Sequence, residues 1–472
     1  MMTDPANGGA DGSVSQSFDI TGARALIEGR FEETVVRVEA GRIAEISGSE
    51  GAGNRARLDG LGLLLLPGIV DIHGDAFERS LMPRPGVRFP PALAFDEADR
   101  LMAGFGITTA MHGVTYSWEP GLRGRDTFLA LAGTLRARRR RLRCDTHMHL
   151  RFEVQNHDGL EDVAPLIADG SIGVVAFNNH LADTRRDLEI PEKLARHAGR
   201  TGLSVEAFRK LVDRIAKSDA ETDATIDALS RMANAAGVPL LSHDDPDRET
   251  RARYRKLGAC TAEFPLSGEV AADARAHGEH VVMGGPNVLR GGSHKSGNPS
   301  AADLVADELC SVLSSDYYYP ALLHAAFRLA DDGILPLERA WDLVSANPAN
   351  ALRMTDRGRI ETGPAFDKGE TIALKLERLS LERGTVREAG HGGQIGQSLD
   401  RQRVWQGRKI EDADERILAA LSRKAEDGVL DVVKGDLAVD ERRVVLTVFQ
   451  NGAVIVQQRR RVGFERGNVA LG

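Results

Sequence analysis

The chain has 472 residues, 42% of them hydrophobic and 28% charged, with a formal net charge of −8. That describes a globular protein with room for one large α/β barrel and additions, or for two to three ordinary domains. No segment reaches the roughly 18 uninterrupted apolar residues of a membrane helix, and the acidic balance argues against general nucleic-acid binding.

In chain order, residues 1–17 are rich in Gly, Ser, Asp and Ala and lack the basic start and apolar middle of a signal peptide, so a disordered tail is expected. Over 18–66 the pattern is β-like. Val35-Val36-Arg37-Val38-Glu39 alternates, Ala40-Gly41-Arg42 turns, and Ile43-Ala44-Glu45-Ile46 alternates again. These strands are too few to bury a core alone, which predicts a small β domain completed by strands from 356–389. Cys144, Cys260 and Cys310 are too scattered for a disulfide framework, which fits a reducing cytoplasm.

Over 67–355 short apolar strands alternate with amphipathic helices. Strands are predicted near 69–73, 107–112, 146–154, 173–177, 238–243, 261–264, 280–283 and 311–315. Helices are predicted at 96–104, 205–216, 220–235, 248–257, 269–276 and 301–309. Eight β-α units predict a (β/α)8 barrel. The runner-up, a doubly wound open sheet, usually carries a Gly-rich phosphate turn after its first strand, and Gly74 alone does not make one. Beyond 356, strands are expected at 371–376 and 380–387. Residues 390–472 read as a C-terminal α+β appendage of unknown role, with a Gly-rich linker at 390–397 and a helix at 411–424. Its strands, 444–450 and 453–458, are joined by Asn451-Gly452, a strong hairpin signal.

Metal-competent residues fall at the carboxyl ends of these strands. His73 and Asp75 close the first, and side chains two apart on an extended segment point the same way. Glu153 closes the third, His180 follows the fourth, His243 precedes Asp244-Asp245 at the fifth, and Asp316 closes the eighth. In a barrel those ends share one face. Two divalent ions need about six protein ligands with a shared carboxylate, and Glu153 is a natural bridge. His112 and His197 lack such partners and read as core or surface residues.

After the seventh strand, Gly284-Gly285-Pro286-Asn287 leads to Arg290-Gly291-Gly292-Ser293-His294-Lys295. Glycines let backbone N–H groups approach an anion, while Arg290, His294 and Lys295 supply charge. That loop is a frequent phosphate site in such barrels. Arg84, in Pro83-Arg84-Pro85, is a further candidate. The arginine run 136–143 reads as a solvated helix end without the aromatic residues that stack bases.

With these motifs stand Gly106-Ile107-Thr108-Thr109, Ala262-Glu263-Phe264-Pro265, Ser314-Ser315-Asp316-Tyr317-Tyr318 and Asp356-Arg357-Gly358. From Leu66 to Ile360 the chain resembles the amidohydrolase superfamily. Within it, the chain is similar to the diphosphatase family acting on alpha-D-ribose 1-methylphosphonate 5-triphosphate in the carbon–phosphorus lyase pathway. The His-x-Asp at the first strand, where His-x-His is commoner, is a feature of that branch. Ala365-Phe366-Asp367-Lys368 departs from the usual re-entry into the small domain, and the tail has no counterpart.

The resemblance implies an amidohydrolase-type barrel and hydrolysis of a 5-triphosphate to a 5-phosphate with release of diphosphate. It implies a divalent metal centre of two ions held by His73, Asp75, Glu153, His180, His243 and Asp316, zinc first, with manganese and iron also accepted by the ligand set. Asp316 would move the proton. Arg290, His294, Lys295 and Arg84 would bind phosphate, and Asp244 and Asp245 would orient a ligand or hold ribose hydroxyls. The partners expected are a small phosphorylated substrate, neither membrane nor nucleic acid, and in an oligomer a second copy of the chain. The competing readings are an amidase or deaminase on the same scaffold, a barrel that binds without catalysis, and nucleic-acid binding through the arginine run.

Overall fold

The computed structural model describes residues 17–48, 55–293, 295, 297–362 and the backbone of four strands, 375–378, 431–432, 443–448 and 453–458. The run Leu63–Pro67 is a strand buried on both faces. Leu63 and Leu65 enter the core between two small sheets, with Phe18, Ile20, Val36, Val38 and Leu58. Leu64 and Leu66 point the other way, into the core shared with the barrel and its helices, as a period of two requires. One sheet runs 42–47, 35–39, 18–21, 56–59; the other runs 431–432, 375–378, 443–448, 453–458, 63–67, 24–27, 30–33.

Past Gly68 the chain enters the barrel. Its eight strands are Ile69–Gly74, Ile107–Tyr116, Asp145–Glu153, Ile172–Asn178, Leu240–His243, Ala259–Glu263, His280–Gly284 and Val312–Ser314, all parallel and in sequence order. The first and eighth meet through a bridge between Gly74 and Asp316. There Asp75 N–H donates to the Asp316 carbonyl and Asp316 N–H to the His73 carbonyl, both at 2.9 Å. Val70, Ile72, Met111, Val174, Leu241 and Val312 fill the barrel interior. A closed (β/α)8 barrel is thus present, rather than the open sheet.

The expected helices occur at Pro91–Gly104, Val205–Lys217, Thr222–Ala235, Arg248–Lys256, Gly268–Ala276 and Ala301–Ala306. Two further helices, Leu181–Asp187 and Pro191–Thr201, lie between the fourth and fifth strands. The second carries Pro191 at its start and Gly202 in the left-handed conformation (φ 74°) after its end, a legible pair of caps. The arginine run closes the helix Arg125–Arg138 and is ion-paired, Arg136 with Asp169, Arg138 with Asp96, Arg139 with Asp145 and Arg143 with Asp99.

Strands Arg443–Val448 and Ala453–Gln458 pair antiparallel, Arg443 opposite Gln458, and the second also pairs with Leu63–Pro67. The hairpin expected in an appendage therefore lies in the small sheet, against a partner that local sequence does not reveal. The turn Asn451-Gly452, residues 1–16, the strand at 380–387, the linker and the helix at 411–424 lie outside the described residues. Among the described residues no helix is long and apolar enough to cross a membrane.

Candidate metal centre

The third barrel strand alternates strictly. Met148, Leu150 and Phe152 pack outward in the helix-facing core, so His149, Arg151 and Glu153 face the barrel axis. Three strand ends finish on residues in the left-handed region, Asp244 (φ 55°), Phe264 (φ 54°) and Asp316 (φ 53°). Such backbone is uncommon for residues other than glycine and gathers at functional sites.

Among the described residues, three groups of ligand-type side chains form, the atoms of each within 4.8 Å of one another: His73, His149 and Glu263; His180, His243 and Asp244; and His73, Asp75 and Asp316. His73 Nδ1 lies 2.8 Å from Glu263 Oε1. His149 Nδ1 donates to the Ile72 carbonyl at 3.0 Å. His180 Nδ1 lies 2.5 Å from Glu153 Oε1, and its backbone N–H donates to the other Glu153 oxygen at 3.2 Å. Asp244 Oδ2 is 3.6 Å from both His180 Nε2 and His243 Nδ1, and 3.5 Å from Lys295 Nζ. Arg151 reaches Asp75 Oδ2 at 2.9 Å.

Electrostatics follow from burial and pairing. Burial opposes charge on His73 and His180, but Glu263 and Glu153 outweigh it, raising His73 to about 10 and His180 to about 9. Burial lowers His243 to about 3 and His149 to about 4. Burial opposes ionisation of Glu153 and Glu263, yet the facing histidines bring both to about 2. Asp316 goes the other way, raised to about 6 by burial and by the Asp75 carboxylate.

These groups open into a cavity of about 720 Å³ lined by Asp75, Arg123, Arg151, Glu153, Lys295 and Asp316, among others. Of the residues picked from sequence, His73, Asp75, Glu153, His180, His243, Asp244, Lys295 and Asp316 come together here. Asp245 does not. It is buried against Ser242 and Arg251, where it braces the barrel wall. Arg84 lies in an exposed turn and Arg290 points toward the Tyr317 hydroxyl at 3.5 Å, neither lining the cavity. His294 lies outside the described residues. His112 sits among Phe77, Phe95 and Tyr319, and His197 stacks on Phe208.

Sequence reasoning missed His149, Arg151, Glu263 and Arg123. For His149 and Arg151 the signal was present, since alternation with Met148, Leu150 and Phe152 aims them inward. Glu263 ends a strand as Glu153 does. Arg123 ends a short 3-10 helix, Gly121–Arg123, between the second strand and the helix Arg125–Arg138, and carried no signal.

The donor set fits a divalent metal. His73 Nε2, His149 Nε2 and Glu263 Oε2 are buried without a hydrogen-bond partner, a costly state unless something else binds them. Imidazole and carboxylate together suit zinc, manganese or iron.

No family model matches the chain. Over 354 residues it is 31% identical to the alpha-D-ribose 1-methylphosphonate 5-triphosphate diphosphatase of Escherichia coli (strain K12), across 74% of this chain and 93% of that protein. Among solved structures it is similar to dihydropyrimidinase from Brevibacillus agri NCHU1002, with a TM-score of 0.52 and 13% identity over 74% of this chain and 84% of that one. It is also similar to phenylurea hydrolase B, with a TM-score of 0.50 and 15% identity over 74% and 90%. At such identities these two share the fold. The barrel, the histidines and carboxylates at its strand ends and the curated relative agree: the chain belongs to the amidohydrolase superfamily and, within it, to the family of the alpha-D-ribose 1-methylphosphonate 5-triphosphate diphosphatases.

Proposed function

We propose that this protein is a metal-dependent hydrolase that cleaves alpha-D-ribose 1-methylphosphonate 5-triphosphate to the 5-phosphate and diphosphate. The observation that carries the reading is the set of unpartnered, buried ligand atoms beside a cavity that also holds Arg123, Arg151 and Lys295. Such a cavity suits a polyanion better than a neutral amide.

His73, His149 and Glu263 are residues that would hold metal, with the further ligand-type side chains of His180, His243, Asp244, Asp75 and Asp316 around them. Bound there, a divalent ion supplies Lewis acidity toward water and phosphoryl oxygen. Asp316, at about 6, is ionised near neutral pH and accepts the proton of the attacking water. Lys295 and Arg123 hold phosphate oxygens and offset charge that grows in the transition state. Enough ligands surround the cavity for two ions; which of them are free to bind depends on Arg151, which lies among them.

The test is release of phosphate and diphosphate from a panel of ribose 5-triphosphates, run beside cyclic and N-acyl amides with metal-loaded protein. Diphosphate release is expected, and Asp316→Asn should lower kcat by about 10²- to 10⁴-fold. Amide turnover without diphosphate release would overturn the reading in favour of C–N hydrolysis.

A further inference from the structure

Arg151 sits between the histidine groups. Its side chain is 8% exposed, and its guanidinium is forked: Nη1 donates to Asp75 Oδ2 at 2.9 Å and Nη2 to His243 Nε2 at 3.2 Å. A guanidinium only donates, so His243 Nε2 must accept, and the proton of the neutral ring is then on Nδ1. Nδ1 faces Asp244 Oδ2 at 3.6 Å. Neither nitrogen of His243 then offers a lone pair to an ion. The other tautomer would set two N–H donors against each other in a buried site. The Asp75 oxygen nearest His73 is likewise taken by a permanent cation.

The His73, His149 and Glu263 group is arranged in the opposite sense. His149 Nδ1 donates to a carbonyl, which leaves Nε2 with its lone pair. His73 Nδ1 donates to the ionised Glu263, which leaves its own Nε2 free. Glu263 Oε2 has no hydrogen-bond partner. A carboxylate that orients a histidine in this way is a common support for a metal ligand.

We infer that Arg151 stands in for a second cation and that the centre holds one divalent ion, in the His73, His149 and Glu263 group. The inference rests on the metal-dependent part of the reading above and not on the substrate.

It is tested on the metal-stripped full-length protein, titrated with Zn²⁺ and separately with Mn²⁺ by calorimetry, with metal content measured after desalting. The wild type is expected to bind one equivalent and Arg151→Met two. Glu263→Gln should weaken binding at least about tenfold, whereas His180→Ala should keep one equivalent. Two equivalents in the wild type would overturn the inference. So would a single equivalent in both Arg151→Met and Arg151→Gln with native circular dichroism, or an ion lost in His180→Ala and kept in Glu263→Gln. No substrate enters these measurements, so their failure and a failure to release diphosphate are separate results.

Discussion

Lys295, in a glycine-rich stretch, and Arg84, between two prolines, are both basic residues in loops, but they differ in what surrounds them. Lys295 lines the cavity, is 50% exposed and reaches Asp244 across 3.5 Å, a pairing loose enough to exchange for a phosphate oxygen. Arg84 lies in a solvent-exposed turn bridged to Val87. A hydrogen bond to a charged group contributes about 1.5–3 kcal/mol, so Lys295→Ala should lower kcat/KM for a triphosphate by roughly 10- to 150-fold. Arg84→Ala should leave it unchanged. Steady-state kinetics on both variants decides the matter, and equal losses would place the phosphate subsite elsewhere.

Among the elements, the seam between the first and eighth strands sets the position of the chemistry. Asp71, fully buried, accepts from Ser315 N–H at 3.0 Å and from the Ser315 hydroxyl at 2.5 Å, and so ties the two strands together. Gly74 lies in the seam with no space for a side chain. A Cβ there would come within 2.6 Å of the Tyr319 ring, 2.7 Å of Asp71 Oδ2 and 2.8 Å of Ser315 Oγ. The glycine between His73 and Asp75 is thus required by closure of the barrel rather than by an anion. Overpacking of this kind costs about 1–3 kcal/mol. Gly74→Ala should therefore lower Tm, and it should lower activity further, because Asp75 and Asp316 are set by backbone bonds across the same seam. A variant with wild-type Tm and turnover would contradict this account.

Across the whole molecule the barrel separates its two ends by role. Opposite the metal-type residues, Arg357 Nη1 donates to Asp145 Oδ2 at 2.7 Å and to Thr109 Oγ1 at 2.8 Å, pinning the start of the second and third strands. Burial opposes ionisation of Asp145, but His147, Arg357 and Arg139 hold its carboxyl well below the usual range. A folded pKa depressed in this way adds stability above the unfolded value, near 4, and that stability is lost as pH falls toward the folded value. Asp145 is 35% exposed, so solvent screening reduces the effect, and Arg357→Met should cost about 1–2 kcal/mol at pH 7. The gap between variant and wild type in urea unfolding should narrow below about pH 4. A gap independent of pH would mean that Arg357 acts through packing alone.

Much of this architecture is legible from spacing along the chain. Strand and helix rhythm over 67–355, the doubly apolar run at Leu63–Leu66 and the polar residues at strand ends are local patterns, and local patterns survive folding because they reflect backbone geometry. The resemblance carried by His73-Gly74-Asp75 and the later motifs, supported by 31% identity to a curated diphosphatase, is likewise a property of the linear sequence. Only the folded chain decides which strand ends face the same point. Glu263 meets His73 across the barrel axis, Arg151 separates Asp75 from His243, and Ala453–Gln458 finds Leu63–Pro67 as its partner. Each of these joins residues far apart in sequence whose proximity comes from barrel closure and sheet pairing, and no window of neighbouring residues encodes such a distance.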